Sequence, residues 1–474
     1  ACSLAALFRG QPPLPGQGNI LRHQGANPSR SLQRQVAFPG RDTMLETAVP
    51  FRPPAPKQAS CIIRLHLPFS AYMPATPTLR RSLNLPLLVF YGVGTIMGAG
   101  IYALIGKVAG MSGMHTPVAF LVSAVLSALT GYSFAVLSSR FPVSSGEARY
   151  VFEAFGVRWL SMLVGLSVAV AGIISAGAII HGFVGYFQVF FSVPAPFIII
   201  VITILMGLLA IWGIKESAIA IAVVTAVEVA GLLIVIWVTW DSIATLPARF
   251  PEMIPSSDIA VWKGILSGAF LSFFAFIGFE DMVNVAEEVK DPVHVMPRAI
   301  GLAIVVVTIL YCMLALLAVL TLPADVLSQS DAPLALLYER STGAKPVLIT
   351  TIGLFAVLNG LVVQMIMASR MFYGLSKAGW LPSAFKAINA RTQTPVFSTV
   401  VVVVLILILA LAFPIVQLAQ ATSAVILCVF ILINLSCAVL CRRTKRYGSM
   451  AISFVAFLVT AAVMALQTYS FFFG

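Results

Sequence analysis

Charge is the scarcest feature of this chain. Only 10% of its 474 residues are Asp, Glu, Lys or Arg, against about 25% in an ordinary soluble domain. A soluble exterior cannot be built from so few charges when 59% of the residues are hydrophobic. Cysteine is sparse too. Of the six, Cys312, Cys428, Cys437 and Cys441 lie inside apolar runs without metal-ligand spacing, so they read as small buried hydrophobes. There is no His/Glu metal box and no Gly-x-Ser-x-Gly elbow, which argues against a membrane enzyme. No metal and no cofactor is expected. These absences exclude a cytosolic enzyme, a disulfide scaffold and a disordered chain. What remains is an all-α polytopic membrane protein, with the lipid bilayer as its solvent.

The net charge of +12 is unevenly spread. Residues 1–83 hold ten Lys/Arg against Asp42 and Glu46. The rest of the excess belongs to membrane loops, so nucleic acid is not an expected partner. The segment 1–83 reads as a disordered basic tail, because PPLPGQG (12–18) and RPPAPK (52–57) break any helix. The first methionine is Met44. Residues 1–43 are accordingly read as a tail without a fold, with over-read upstream translation or an organellar transit peptide as alternatives.

A bilayer core about 30 Å thick needs roughly 20 apolar residues per helix. Eleven runs qualify: about 86–109, 116–138, 158–190, 195–213, 217–240, 262–286, 299–322, 346–370, 395–413, 416–440 and 449–471. The first ten form a core over 84–446, and 447–474 adds one further helix. With the tail cytoplasmic, fourteen Lys/Arg fall in inner loops and five in outer ones. That asymmetry predicts N-terminus inside and C-terminus outside. The cell (plasma or inner) membrane is the expected location.

Two runs are interrupted. The first, LPLLVFYGVGTIMGAGIYALIGKVAG (85–110), carries Gly92, Gly94, Gly98, Gly100 and Gly106. The sixth, GILSGAFLSFFAFIGFEDMVNVAEEV (264–289), holds Phe276, Ile277, Gly278 and Phe279 and then at once Glu280 and Asp281. Each opens a set of five helices, at about 86–240 and 262–440. An odd number of spans per set places the halves in opposite orientation, and paired breaks in inverted halves mark a substrate site at midplane. Unwinding exposes N–H and C=O groups inside hydrocarbon, where a ligand must satisfy them. A half-helix starting near Gly100 and Ile101 offers donors and a positive dipole end to a carboxylate. The carbonyls of Ala275, Phe276 and Ile277 can accept from an ammonium. Together they fit a zwitterionic amino acid. The competing reading is that Gly94-x-x-x-Gly98 is only a packing face.

The motifs GVGTIMGAGIY (92–102), SSRFPVSSGEARYVFEAFG (138–156), FFAFIGFEDMVNVAEEVKDPVHVMPRAI (273–300) and MASRMFYGLSKAGWLP (367–382), followed by RTQTP (391–395), resemble the amino acid–polyamine–organocation permeases. The nearest subgroup is the bacterial permeases related to cationic amino acid transporters. The resemblance covers about 84–446 in order. It implies a LeuT-like 5+5 inverted repeat with broken helices 1 and 6, and coupled amino acid transport by alternating access. It also implies substrate contacts along Met97, Gly98, Ala99, Gly100 and Ile101, and along Ala275, Phe276, Ile277 and Gly278. Family members commonly have twelve helices, so the oligomeric state stays open.

The remaining polar residues are read against that background. Glu280, Asp281, Glu287 and Arg149 are expected to gate the inner side, where Arg140 and Glu147 of the same inner loop as Arg149 can also pair, with a static loop network or helix capping as the alternative. Asn359 and Gln364 are expected to hydrogen-bond between helices, and His181 to be a satisfied polar group. Glu228 stands alone among apolar residues midway along helix 5, where many relatives have a lysine. A buried carboxylate there neutralises or couples a proton to transport. Sodium is less favoured, because a LeuT-like sodium site wants adjacent hydroxyls in the middle of helix 8, and Ser369 lies near its end. A polyamine/amino acid exchanger or a transport-dead amino acid sensor are the other readings.

Overall fold

The computed structural model describes residues 83–143, 146–212 and 218–473. The expected tail, apart from Leu83, and Lys215 of the inner-loop basic set lie outside the described residues. The architecture is all-helical. Among the described residues the extended pairing consists of one parallel bridge between Leu83 and Val289.

The helices in chain order are α1 (Leu85–Ile96), α2 (Ala99–Ser112), α3 (Thr116–Arg140), α4 (Gly146–Phe155), α5 (Arg158–Gln188), α6 (Ala195–Trp212), α7 (Ala218–Val238), α8 (Leu246–Met253), α9 (Ile259–Phe273), α10 (Pro292–Thr321), α11 (Ala324–Gln329), α12 (Pro333–Thr342), α13 (Val347–Lys377), α14 (Val396–Ala412), α15 (Ile415–Arg443) and α16 (Tyr447–Phe473). Every one of the eleven apolar runs coincides with one of these helices or with a broken pair. Among the described residues eight helical stretches are each long and apolar enough to cross a membrane, and nine with the pair Ala222–Val238 and Trp240–Met253, which bends by 49°. The difference from eleven has a physical source. The break leaves α1 as a 12-residue half-span, and α14 is apolar but only 17 residues long.

Local chemistry sets the ends of the elements. Asn84 caps α1 by accepting from the Leu87 N–H at 3.1 Å, and Asp258 caps α9 through Ala260 N–H at 2.9 Å. Proline opens α3, α10 and α12 in the first turn, where its missing N–H costs nothing. Gly343, at φ 68°, closes α12 in the left-handed conformation.

Lipid supplies no hydrophobic drive between helices, so packing and interhelical hydrogen bonds hold the bundle. Ser123 on α3 donates to Ala269 O at 2.6 Å and shares a 2.7 Å contact with Ser272 on α9. Asn434 on α15 donates to Thr130 on α3 at 3.0 Å and to Thr460 on α16 at 3.3 Å. Each such bond contributes about 0.6 kcal/mol. Phe134, Phe279 and Phe430 meet edge-on or tilted, with ring centres 5.3–5.7 Å apart, and lock α3 and α15 around the sixth span.

Candidate functional site

The two breaks come together. α1 ends at Met97, which turns to φ −76°, ψ 135°, and α2 restarts at Ala99 after an extended Gly98. By helix geometry the first N–H groups of α2, from Ala99 to Ile101, have no intrahelical acceptor. In the sixth span α9 passes into a 3-10 turn, Phe274–Phe276, then an extended Ile277. A second 3-10 segment, Glu280–Glu288, follows. Between them Gly278 takes φ 128°, and a Cβ there would lie 2.2 Å from the Thr95 carbonyl oxygen. Only glycine satisfies both the dihedral and the approach. Thr95 Oγ1 donates to Gly278 O at 2.9 Å and to Gly92 O at 3.0 Å, so the two breaks are bonded to each other.

A cavity of about 80 Å³ opens at this junction. From the first span its walls are Tyr91 and the run Gly94–Gly100, and from the sixth Phe274, Ile277 and Asp281. Ser175 and Ile179 on α5 close one side, and Asn359, Gly360, Val363 and Gln364 on α13 close the other. Of the residues singled out from sequence, Met97, Gly98, Ala99, Gly100, Ile277 and Asp281 therefore line one cavity. Ile101, Ala275, Phe276 and Gly278 lie in the same two breaks but not in its wall. The Phe276 ring packs on Tyr311 at 5.3 Å.

The glycines of the first break differ in what surrounds them. A Cβ on Gly100 would sit 2.5 Å from Ala275 Cα, so this glycine lets α2 touch the sixth span backbone to backbone. A Cβ on Gly98 would meet nothing within 4 Å. Open space at the break therefore lies beside Gly98.

Glu228, on α7, is 1% exposed. Asn359 on α13 faces it, yet neither carboxylate oxygen has a hydrogen bond of good geometry. Tyr102 OH donates to Glu228 O at 2.9 Å, and Tyr311 OH to Ile96 O at 3.3 Å. These bonds tie α2 to α7 and α10 to the end of α1. Thr225 Oγ1, one turn before Glu228, is also buried without a partner.

The expected gate residues occupy the other flank. Glu280 is buried and accepts from Gly278 N–H at 2.9 Å. Asp281 is buried, with Asn284 Nδ2 at 3.5 Å. Arg149 pairs with Glu153 four residues on, and Glu287 is exposed in the second 3-10 segment. Leu83 N–H donates to Glu288 O and Lys290 N–H to Leu83 O, both at 3.0 Å, so the chain before α1 is stitched to the end of the sixth span. Glu147 on α4 belongs to the same inner-loop charge set as Arg149. It is 3% exposed, its Oε1 has no partner among the described residues, and burial first, then the charge of Asp281, push its carboxyl up to about 7. Among the described residues the neighbouring Tyr150 hydroxyl has no partner either, and burial raises its pKa.

Other wall residues were missed because their signal was faint. Ser175 and Ile179 are one turn apart on α5, and Asn359 and Gly360 lie one turn before Val363 and Gln364 on α13. Asn359 and Gln364 were legible as polar groups in an apolar run, but which way they faced was not. Gln364 Oε1 has no hydrogen-bond partner among the described residues. His181 Nε2 lies 2.9 Å from Phe413 O, the contact of a satisfied polar group.

Residues 83–474 match the family model described as amino acid permease. The chain belongs to this family. It is 31% identical over 392 residues to "Cationic amino acid transporter 2, vacuolar" of Arabidopsis thaliana, covering 76% of this chain and 60% of that protein. To "Cationic amino acid transporter 4, vacuolar" of the same plant it is 30% identical over 394 residues, covering 75% and 63%. To "Branched-chain amino acid permease BcaP" of Bacillus subtilis (strain 168) it is 25% identical over 394 residues, covering 77% and 82%. The alignments thus span 60–63% of the two plant relatives' length. As a member of the amino acid permease family, the chain carries the LeuT-like inverted repeat that its broken first and sixth spans describe.

Proposed function

We propose that the chain is a secondary active transporter that moves amino acids across a membrane by alternating access. The observation that carries this reading is the cavity shared by the two breaks. It has free N–H groups of α2 at one wall and helix 6, with Asp281, at the other. The substrate carboxylate sits against the N–H groups from Gly98 to Ile101. Its ammonium turns toward the sixth-span break at Ile277, the wall residue of the expected Ala275–Ile277 acceptors, and toward Asp281. Ile179, Phe274, Ile277 and Val363 supply apolar walls, which favours a neutral side chain. A second reading, a cationic side chain, is favoured by Asp281, because the lining has a carboxylate and no basic side chain among the described residues. Both kinds of name occur among the relatives.

Coupling runs through Glu228. A lone carboxylate at that depth costs several kcal/mol if ionised, so it holds a proton while the site is dry and releases it when water reaches it. Glu280, Asp281, Glu287 and Arg149 form the inner gate. The N-terminus faces the cytoplasm and the C-terminus the outside. The cell membrane is our assignment, with an organelle as the alternative that the names of the plant relatives raise. Uptake into proteoliposomes tests the transport reading. Leucine, lysine, glutamate and putrescine are offered under an imposed pH gradient. Accumulation of leucine or lysine supports the reading. Putrescine alone points to an exchanger, and binding without flux to a sensor.

A further inference from the structure

A second cavity, of about 350 Å³, lies away from the substrate site, between α4, the start of α5 and the loop that follows α13. Arg149 and Phe152 reach it from α4, Arg158 from α5, and Trp380 from the loop. We propose that this cavity holds the phosphate of an anionic phospholipid headgroup.

The charge pattern is the first argument. Two guanidinium groups from two different helices face one space, and guanidinium binds phosphate in a two-pronged geometry. Arg149 is partly neutralised by Glu153. Arg158 is exposed and has no side-chain hydrogen bond or ion pair among the described residues. Ser161 also lines the cavity, but its hydroxyl already donates to the Ala148 carbonyl. The two arginines are the charged donors that the wall offers an anion.

Depth is the second argument. Trp159 begins α5 and is 63% exposed, Trp212 ends α6 and is 78% exposed, and Trp380 follows α13 and is 40% exposed. Thr394 Oγ1 donates to Ile211 O at 2.7 Å, which ties the loop carrying Trp380 to the end of α6. Exposed tryptophans gathered at one end of the bundle mark headgroup depth, and a basic pocket between helices at that depth suits an acidic lipid. Phe152 and Trp380 give the cavity apolar walls for the glycerol and the first acyl carbons. A free phosphate ion would gain nothing from them. Such a lipid would join α4 and α5 of the first repeat to the loop after α13 of the second.

The test is lipid retention by the purified full-length chain, measured by native mass spectrometry with phosphatidylglycerol against phosphatidylcholine. The wild type should retain phosphatidylglycerol preferentially. Arg158→Gln should lower that preference about fivefold, and Arg149→Gln with Arg158→Gln should lower it further by a similar factor, since each arginine near an anionic headgroup contributes about that much. Quenching of Trp380, read as the difference between wild type and Trp380→Phe, needs no arginine variant. Brominated phosphatidylglycerol should quench it more than brominated phosphatidylcholine. Equal quenching by the two lipids would overturn the proposal. So would an unchanged preference in the double variant, or a preference abolished by millimolar inorganic phosphate, which would make this a small-anion site.

Discussion

Two glycines two residues apart should fail in different ways. At Gly98 an added methyl group meets nothing within 4 Å and projects into the open space of the break. Gly98→Ala should therefore fold with a stability change within about 0.5 kcal/mol, as expected where nothing is displaced. It should still lose substrate, because the methyl group occupies the approach to the first N–H groups of α2. Hydrogen bonds to a charged group contribute about 1.5–3 kcal/mol each, so losing one weakens binding by roughly 10- to 150-fold. At Gly100 the same methyl group would lie 2.5 Å from Ala275 Cα. That neighbour is backbone and cannot rotate away. Gly100→Ala should cost about 1–3 kcal/mol in overpacking and lower thermal stability before any ligand is added. The assay is a melting curve in detergent together with radioligand binding, run on both variants. Wild-type affinity in Gly98→Ala would refute the carboxylate placement. Wild-type stability in Gly100→Ala would refute the backbone contact.

Glu228→Gln should bind substrate yet lose accumulation driven by a pH gradient in proteoliposomes, and undiminished accumulation would move the coupling elsewhere. Glu147 should make stability pH-dependent. Its folded pKa of about 7 lies above the ordinary 4.5, so the folded state holds the proton more tightly and stability falls as pH rises from about 4.5 to 7, by roughly 3 kcal/mol in all. Glu147→Gln should reduce that slope in melting curves recorded between pH 5 and 8, and an unchanged slope would exonerate this residue. In a cysteine-free background, Thr444→Cys should be labelled from the cytoplasmic side and Phe473→Cys from the outside. Labelling of Thr444→Cys from outside would overturn the proposed orientation.

Composition and run length were enough to establish a multi-helix membrane protein, because hydrocarbon demands internally bonded helices of fixed minimum length. The interruptions at Gly98 and Gly278 were legible for a related reason: a helix that breaks in lipid needs something to satisfy its free groups. Motifs at 92–102 and 273–300 were specific enough to point to the family. Four things only the tertiary structure decided. It paired Gly100 with Ala275 and left Gly98 facing open space, a difference that depends on which neighbour each Cα meets. It brought Ser175 and Ile179 together with Asn359 and Gln364, from helices some 180 residues apart in sequence. It buried Glu147, which in sequence reads as an inner-loop charge able to pair with an arginine in the gate. It set Arg149 and Arg158 against Trp380 around a single cavity. One-dimensional pattern records how apolar a helix is on average, and in an apolar solvent every face of a helix is apolar. The direction in which a polar side chain points is therefore set by helix–helix contact, which exists only in three dimensions.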